Sequence, residues 1–240
     1  MSAWKAKRFW KETKAAEAER GFTVLLDGRS VKTPAKTPLI VPTMAMAEAI
    51  AAEWDAQEDE VQPLTMPVMR GANAALDKVT HQFDEVAAML AEYGATDLLC
   101  YRAESPRELI DRQAQSWDPL LDWAAEALGA RLGSAQGVMF VSQDAAALEK
   151  LHDLVRQMTP FELAAFHDLV GISGSLILGF AAVRDHLPIE QIWDLSRVDE
   201  TWQAEQWGVD DEAAEQAAMK RKEFLRAKRF YELCQADQTG

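Results

Sequence analysis

Two kinds of hydrophobic periodicity divide the sequence. Residues 21–34, GFTVLLDGRSVKTP, contain two β-rich runs around Asp27-Gly28, and an Asp-Gly pair supplies the positive φ angles of a type I′ hairpin turn. Farther along the chain, apolar residues recur every three or four positions nearly to the C-terminus, which is typical of amphipathic helices. The sequence therefore predicts an α+β fold, with a small β-rich N-terminal domain containing a hairpin and one helix (residues 1–70) and a larger, multi-helical C-terminal domain (residues 71–240).

The β-rich part carries two further local signals. Residues 37–42, TPLIVP, form a short apolar run bounded by prolines, which predicts a third strand. Thr43 is a suitable N-cap for the helix that follows, in which Met46, Ile50 and Trp54 succeed one another at four-residue steps. This spacing places the three side chains on one helix face, and we expect Trp54 to be mostly buried.

One stretch of the helical part is unusually apolar. Residues 169–183, LVGISGSLILGFAAV, carry no charge over fifteen positions, whereas a helix needs about twenty residues to cross a bilayer. We therefore expect one buried helix and no membrane insertion. Gly171, Ser175 and Gly179 recur at every fourth position, a spacing of small residues that lets a neighbouring helix approach closely. We expect such close approach at Gly174 and Gly179.

Three prolines mark expected helix starts. Ser105-Pro106-Arg107-Glu108 and Thr159-Pro160-Phe161-Glu162 each combine an N-cap hydroxyl, a proline at the first helical position and a glutamate at the third, which predicts two capping boxes. Asp118-Pro119 predicts the start of a separate helix.

The charge is large and unevenly distributed. The net charge is −14, yet both ends of the chain are basic, and residues 37–219 hold ten basic and 32 acidic residues. Such a centre repels nucleic acid and anionic membranes, because phosphate binding needs the opposite sign. Basic protein partners are compatible with this charge, and so is a role in solubility alone.

Residues that would carry catalysis are sparse. Cys100 and Cys234 stand in no metal or redox spacing, and the pair fits a reducing compartment. The four histidines occur singly, and the sequence contains no Walker A, GxGxxG or HExxH motif. We therefore predict no catalytic residues, no metal site and no cofactor, and we expect that the protein is not an enzyme.

The segment VDETWQAEQWGVDDE, residues 198–212, contains two tryptophans and six acidic residues. It fits the wall of a catalytic pocket, a piece of core with a wet edge, or a surface that binds another protein. Trp202 and Trp207 are five positions apart, about 140° around a helix, so one buried strip cannot easily cover both. Partly exposed aromatic rings beside amides and carboxylates favour a partner-binding surface, and the predicted residues are Asp199, Glu200, Trp202, Gln203, Gln206 and Trp207.

Six segments, taken in order, resemble one known family. They extend from about residue 20 to residue 212 and read GFTVLLDGRSVKTPAKTPLIVP, AIAAEWDAQ, DLLCYRAESP, QSWDPLLDWA, FELAAFHDLVGISGSLIL and SRVDETWQAEQWG. In these segments the chain is similar to the assembly chaperones of the F1 sector of ATP synthase, specifically the family that binds the newly made alpha subunit.

This resemblance implies a chaperone that is not an enzyme. Because the sequence shows no nucleotide-binding motif, we expect the protein to act without ATP and without a cofactor. Its expected partner is the free alpha subunit of F1-ATPase, whose aggregation it would prevent before alpha meets beta. The functional acidic position of the family falls at Glu200 or at its neighbour Asp199. A tryptophan matching Trp54 is also important in the family, for stability or for partner contact.

Two classes of function follow from the sequence. The first is the assembly chaperone, expected to be monomeric when free and cytoplasmic in a bacterium, since the N-terminus lacks an apolar signal region; eukaryotic relatives belong to the mitochondrial matrix. The alternative is a small-molecule enzyme or binding protein with a pocket between the β-rich and helical parts. A deep cleft with convergent polar groups would favour the alternative, and an exposed apolar or aromatic patch would favour the chaperone.

Overall fold

The structure, a computed structural model, describes residues 7–137 and 139–236. The chain divides into two compact units. The first comprises the chain up to Phe83 together with Thr159–Ala165 and the residues from Arg229 onward, and the second comprises Asp84–Met158 and Phe166–Lys228. The sequence predicts one boundary at residue 70, whereas this division assembles the first unit from three separate segments.

The first unit contains a three-stranded antiparallel sheet. Its strands are β1 (Thr13–Ala18), β2 (Gly21–Leu26) and β3 (Arg29–Ser30), in the spatial order β1-β2-β3. Asp27 and Gly28 join β2 to β3 with φ angles of 47° and 78°, so the predicted Asp-Gly hairpin is confirmed.

Residues 37–42 do not form the predicted strand. They make isolated bridges, Phe22↔Val41 and Lys32↔Pro38, within the part of the chain that the structure describes. Pro38 and Pro42 have no N–H to donate, so a continuous ladder cannot extend along this segment. The prediction of a strand here was wrong, although the segment still lies beside the sheet.

Two helices of the first unit are linked through their ends. Helix α1 (Met44–Asp55) packs against β1 and β2, and the hydroxyl of Thr43 accepts the Met46 N–H at 3.1 Å, as the sequence predicts. The carboxylate of Glu53 on α1 accepts the N–H groups of Val68 and Met69 at 2.7 and 2.8 Å. It thereby satisfies free donors in the first turn of helix α2 (Pro67–Asp77) and complements its dipole.

The later segments of the first unit contribute to the same core. The Thr43 hydroxyl donates to the carbonyl of Leu233 at 2.5 Å, and the ring of Phe230 lies so close to Gly71 that an added Cβ would be 2.6 Å from it. The capping box at residue 159 is confirmed, because the Thr159 N–H and the Glu162 carboxylate are 2.7 Å apart and the reciprocal bond is 3.3 Å.

The described part of the second unit is mainly helical. A short parallel strand pair joins β4 (Tyr101–Arg102) to β5 (Ala135–Gln136). The remaining α-helices are α3 (Phe83–Ala91), α4 (Arg107–Trp123), α5 (Ala145–Arg156), α6 (Pro160–Ser173), α7 (Leu176–Val183), α8 (Ile189–Leu195), α9 (Val198–Trp207) and α10 (Asp211–Gln235); α3, α6 and α10 contribute residues to both units. The small N-terminal sheet and this larger helical part confirm the predicted α+β class.

Helix α4 begins at Arg107 with Pro106 as its N-cap and without a side-chain cap, so the capping box predicted at Ser105 was wrong. The helix passes through Pro119 without a break. The separate helix predicted to start at Asp118-Pro119 was therefore wrong. Proline removes one helical hydrogen bond, and here the buried residues on both sides of it, Trp117, Leu120 and Leu121, hold the helix through their packing.

The apolar stretch 169–183 forms two helices instead of the predicted single one. Helix α6 ends at Ser173, Gly174 has φ +73°, and the Ser175 hydroxyl caps α7 by accepting the Leu178 N–H at 3.0 Å. Gly179 confirms the expected close packing, because a Cβ there would lie 2.6 Å from Val170 Cγ2. Gly174 does not confirm it, because an added Cβ would meet nothing within 4 Å; it is required by its backbone angle instead.

A buried carboxylate supports the start of α7. Asp97, which is fully buried, accepts the N–H groups of Ile177 and Leu99, both at 3.0 Å. Burial raises the pKa of Asp97 to about 6, against the effect of these backbone donors, which favour the charged form.

Candidate functional site

Helix α9 carries all six residues predicted to bind a partner, and it belongs to the second unit. Asp199 and Glu200 lie in its first turn, where carboxylates complement the positive end of the helix dipole. The helix ends at Gly208, which has φ +91° and whose N–H bonds to the carbonyl of Ala204 at 3.0 Å. The six predicted residues therefore occupy a regular helix with a defined end.

One face of α9 lies against α4. The side-chain amide of Gln113 donates to the Asp199 carboxylate at 2.7 Å, and its oxygen accepts the Ala103 N–H at 2.8 Å. Gln113 is buried and Asp199 is half-buried. The Asp199 carboxylate therefore has an intrachain partner that joins the two helices.

Arg112, the neighbour of Gln113 on α4, makes a second connection. Its guanidinium forms an ion pair with Glu205 at 2.8 Å and lies over the ring of Trp202, 4.9 Å from the centroid. The hydrogen bond from Arg112 lowers the pKa of Glu205. Trp202 is half-buried, so this indole, like Asp199, is on the face of α9 that α4 covers.

The other face of α9 is exposed. Glu200, Gln203 and Trp207 lie within about 60° of one another around the helix axis, given 3.6 residues per turn, and all three are exposed. Trp207 has a relative exposure of 79%. Gln206 is also exposed and lies nearer to the covered face. We call Glu200, Gln203 and Trp207 the free face of α9.

Glu200 already has a partner within the chain. Its carboxylate is 2.7 Å from Arg197 Nη1, and the Glu200 side chain remains 48% exposed. The guanidinium of Arg197 also lies over Trp193 on α8, 5.6 Å from the ring centroid. Glu200 is therefore held in place at the surface while its outer side stays accessible.

Trp54 lies in the first unit, whereas the residues of α9 lie in the second. Met46 and Ile50 are fully buried, as expected, whereas Trp54 is half-buried. Its indole packs edge-to-face against Trp10, with a centroid distance of 5.0 Å and an interplanar angle of 79°. Trp10 is buried, so this aromatic pair is part of the packing of the first unit.

Sequence reasoning missed the residues that support these positions. Arg112, Gln113 and Trp10 belong to no motif, and each acts through a partner distant in the sequence. For Trp10 the sequence offered one signal, the adjacent aromatic pair Phe9-Trp10 in an otherwise basic segment. For Arg112 and Gln113 the sequence offered no signal.

The described residues offer little for a metal site, a membrane-spanning helix or a cavity with catalytic side chains. In residues 7–137 and 139–236, no group of three or more His, Cys, Asp or Glu side chains could hold a metal ion. Over the same residues, no helix has both the length and the apolar character required to cross a membrane. A surface cavity of about 820 Å³ in the first unit is lined by residues 7–10, 58–60 and Gln62, and these lining residues include no Ser, Cys or His.

By comparison with known proteins, the chain belongs to a class of chaperones. Residues 7–125 match the model of the family described as ATP12 chaperone protein. The chain resembles the crystal structure of Atp12 from Paracoccus denitrificans and a point mutant of it, with 48% identity to each, TM-scores of 0.93 and 0.94, and coverage of 95% of this chain and 98% of theirs. The chain belongs to the ATP12 chaperone family.

More distant relatives agree with this assignment. The mitochondrial protein atp12 of Schizosaccharomyces pombe is 27% identical over 222 residues, which cover 87% of this chain and 76% of that protein. A chaperone-type protein of Agrobacterium tumefaciens is 41% identical, with a TM-score of 0.90 and coverage of 95% and 86%. The relatives are thus both bacterial and mitochondrial, and membership in the family supports a role in the assembly of F1-ATPase.

Proposed function

We propose that the protein is an ATP-independent chaperone that binds the free alpha subunit of the F1 sector of ATP synthase, prevents its aggregation and supports F1 assembly. Membership in the ATP12 chaperone family supports this role, and so does the resemblance of six ordered segments to the chaperones of the alpha subunit. The sequence has no Walker A motif, which supports action without ATP. In this proposal the protein is not an enzyme and uses no cofactor.

The observation that carries the proposal is the free face of α9. Its carboxylate, amide and indole are exposed together on a helix whose opposite face is joined to α4 through Gln113 and Arg112. A surface that is already rigid loses little conformational entropy on binding. A partner can therefore be recognised without reorganisation of the helix.

The residues of α9 take different roles in this proposal. Glu200 would accept hydrogen bonds from a cationic side chain of the alpha subunit, and Trp207 would bury its indole against an apolar surface. Gln203 lies between them and can donate or accept. Asp199 and Trp202 would orient the helix, and Gln206 would border the contact.

The cellular setting is part of the proposal. We place the protein in the bacterial cytoplasm, as a monomer when free, where newly made alpha subunits await beta. Displacement by beta is the simplest route of release, because binding of beta would cover the surface that the chaperone protects.

Co-purification and an aggregation assay test this function. The full chain should retain the alpha subunit from cell extract and should keep purified alpha subunit soluble at a near-stoichiometric ratio, equally well with and without ATP. Purified beta subunit, added in place of alpha, is the matched control for non-specific binding. Equal retention of alpha and beta, or protection only when ATP is present, would contradict the proposal.

A further inference from the structure

Two large apolar side chains stand at the tip where α9 meets α10. Trp207 is 79% exposed and Val209 is 71% exposed, with only Gly208 between them. Single exposed apolar residues are normal on protein surfaces. Here two of them are separated by one residue, and Trp207 shares the free face of α9 with the exposed Glu200 and Gln203.

The backbone of this tip is fixed at both sides. The Gly208 N–H bonds to the carbonyl of Ala204 at 3.0 Å and ends α9. Asp210 caps the start of α10, because its carboxylate accepts the Ala213 N–H and its carbonyl accepts the Ala214 N–H, both at 2.9 Å. Trp207 and Val209 are therefore presented on a short turn between two helices, a geometry that limits the entropy lost on binding.

The segment around the tip is strongly acidic. Residues 198–219 contain seven acidic residues and no Lys or Arg. Asp211 and Glu212 lie in the first turn of α10, where they complement the helix dipole. Glu200 and Glu205 on α9 are paired with Arg197 and Arg112, so the negative charge exceeds the positive charge without being the only charge present. The potential along this surface therefore attracts a cationic partner and repels an anionic membrane.

We infer that the Trp207–Val209 tip and the free face of α9 form one contact surface, which fits a groove on a partner protein with an apolar pocket bordered by Arg or Lys side chains. This inference rests on the proposed function and states the chemistry of the surface that the alpha subunit presents. The tip fills the pocket, and Glu200 exchanges its bond to Arg197 for a cation at the border of the groove. The apolar tip provides most of the affinity, and the carboxylate provides orientation and the salt dependence.

The affinity of the full chain for purified alpha subunit, measured over a range of salt concentrations, tests this division. The double variant Trp207→Ser, Val209→Ser should weaken binding by about tenfold or more, as expected for the loss of apolar anchors. Met219→Ser is the matched control, because Met219 is also an exposed apolar side chain, 62% exposed, on α10 but away from the tip; it should change the affinity by less than about twofold. Glu200→Gln should reduce the dependence of the affinity on salt, and the double variant should retain it.

The outcomes separate the two proposals. If the wild type binds alpha subunit and the double variant binds as tightly as Met219→Ser, the tip is not an anchor and the inference is overturned, while the proposed function stands. An affinity of the wild type that increases with salt would overturn the cationic groove. No binding of alpha subunit by the wild type would overturn both proposals. Because all the substituted side chains are exposed, matching thermal melts of the variants are expected.

Discussion

The side-chain amide of Gln113 on α4 donates a hydrogen bond of 2.7 Å to the carboxylate of Asp199 on α9. The oxygen of the same amide accepts the backbone N–H of Ala103. One buried side chain thus joins the start of helix α9 to two other parts of the second unit. The position of α9 depends on it.

Gln113→Ala should lower the free energy of unfolding by roughly 1–3 kcal/mol, because it leaves the Ala103 N–H without this acceptor and the Asp199 carboxylate without this donor. Urea unfolding measures the change. The control is Gln115→Ala, at an exposed position of the same helix, which should change stability by less than about 0.5 kcal/mol. Equal effects at the two positions would show that the bond contributes nothing to stability.

Glu200→Lys should leave stability nearly unchanged, within about 0.5–1 kcal/mol, because the carboxylate is half exposed and its pair with Arg197 lies at the surface. Binding of alpha subunit should nevertheless decrease sharply, since reversal of the charge removes an attraction and adds a repulsion. Thermal melting and the aggregation assay on one preparation measure both properties. Glu149→Lys, an exposed position on α5, is the control; parallel loss of stability and binding in the Glu200 variant would indicate a structural role.

Two glycines of the apolar stretch should respond with opposite signs. Gly179→Ala should destabilise by about 1–3 kcal/mol, and Gly179→Leu by more, because an added Cβ would lie 2.6 Å from Val170 Cγ2 and 3.0 Å from Phe166 Cε2. Gly171→Ala meets nothing within 4 Å inside α6 and should stabilise by about 0.5–1 kcal/mol through helix propensity. Chemical denaturation measures the free energy of unfolding of each variant. Stabilisation of the Gly179→Ala variant would mean that the face of α7 at Gly179 is open.

The buried carboxylate of Asp97 should make stability depend on pH. Its pKa is raised by burial from 3.8 to about 6, so the folded state holds its proton more tightly than the unfolded state does. The stabilising contribution of this proton is complete below about pH 4 and is lost as the pH rises to about 6, a change of roughly 3 kcal/mol at about 1.4 kcal/mol per pKa unit.

The comparison of wild type with Asp97→Asn isolates this effect. The Asn variant cannot ionise, and its amide nitrogen cannot accept one of the two backbone N–H groups that Asp97 binds, so its stability at pH 4 should be lower. Between pH 4 and pH 7 the difference between the two proteins should decrease. A constant difference over this range would mean that Asp97 is already ionised at pH 4.

Trp54→Ala should lower the free energy of unfolding by about 2–4 kcal/mol, somewhat less than the usual loss for a fully buried tryptophan, because the indole is half-buried against Trp10. Trp54→Phe should restore part of the stability by keeping an aromatic edge in contact. If Trp54→Ala melts like the wild type but fails to bind alpha subunit, Trp54 belongs to a contact surface instead of the packing of the first unit.

Some local signals in the sequence predicted local structure correctly, whereas the proline-bounded run 37–42 and the Asp118-Pro119 pair did not. The turn at Asp27-Gly28 and the capping box of Thr159 and Glu162 depend on residues a few positions apart, so their geometry can be read from composition and spacing. Strand β1, TKAAEA, has little intrinsic preference for extended structure and exists through its pairing with β2, which no local pattern reveals.

Features that depend on distant contacts could not be predicted. The break at Gly174 and Ser175 occurs inside a uniformly apolar run, where periodicity does not distinguish one helix from two. The α9 residues were recognised as a group, but their division into a covered and a free face is set by Arg112 and Gln113, whose side chains meet α9 only after folding. The acidic and aromatic character of the site was therefore predictable, and its orientation was not.

The discontinuous first unit has a consequence for synthesis on the ribosome. The core around α1 and α2 is completed by Phe230 and by the hydrogen bond from Thr43 to Leu233, near the C-terminal end of the last helix. While a nascent chain is still growing, the N-terminal sheet and its helices lack these contacts, although all of their own residues have emerged. Closure of the N-terminal unit therefore requires Phe230 and Leu233, and a chain that stops before residue 229 leaves an apolar surface on its first-made segment.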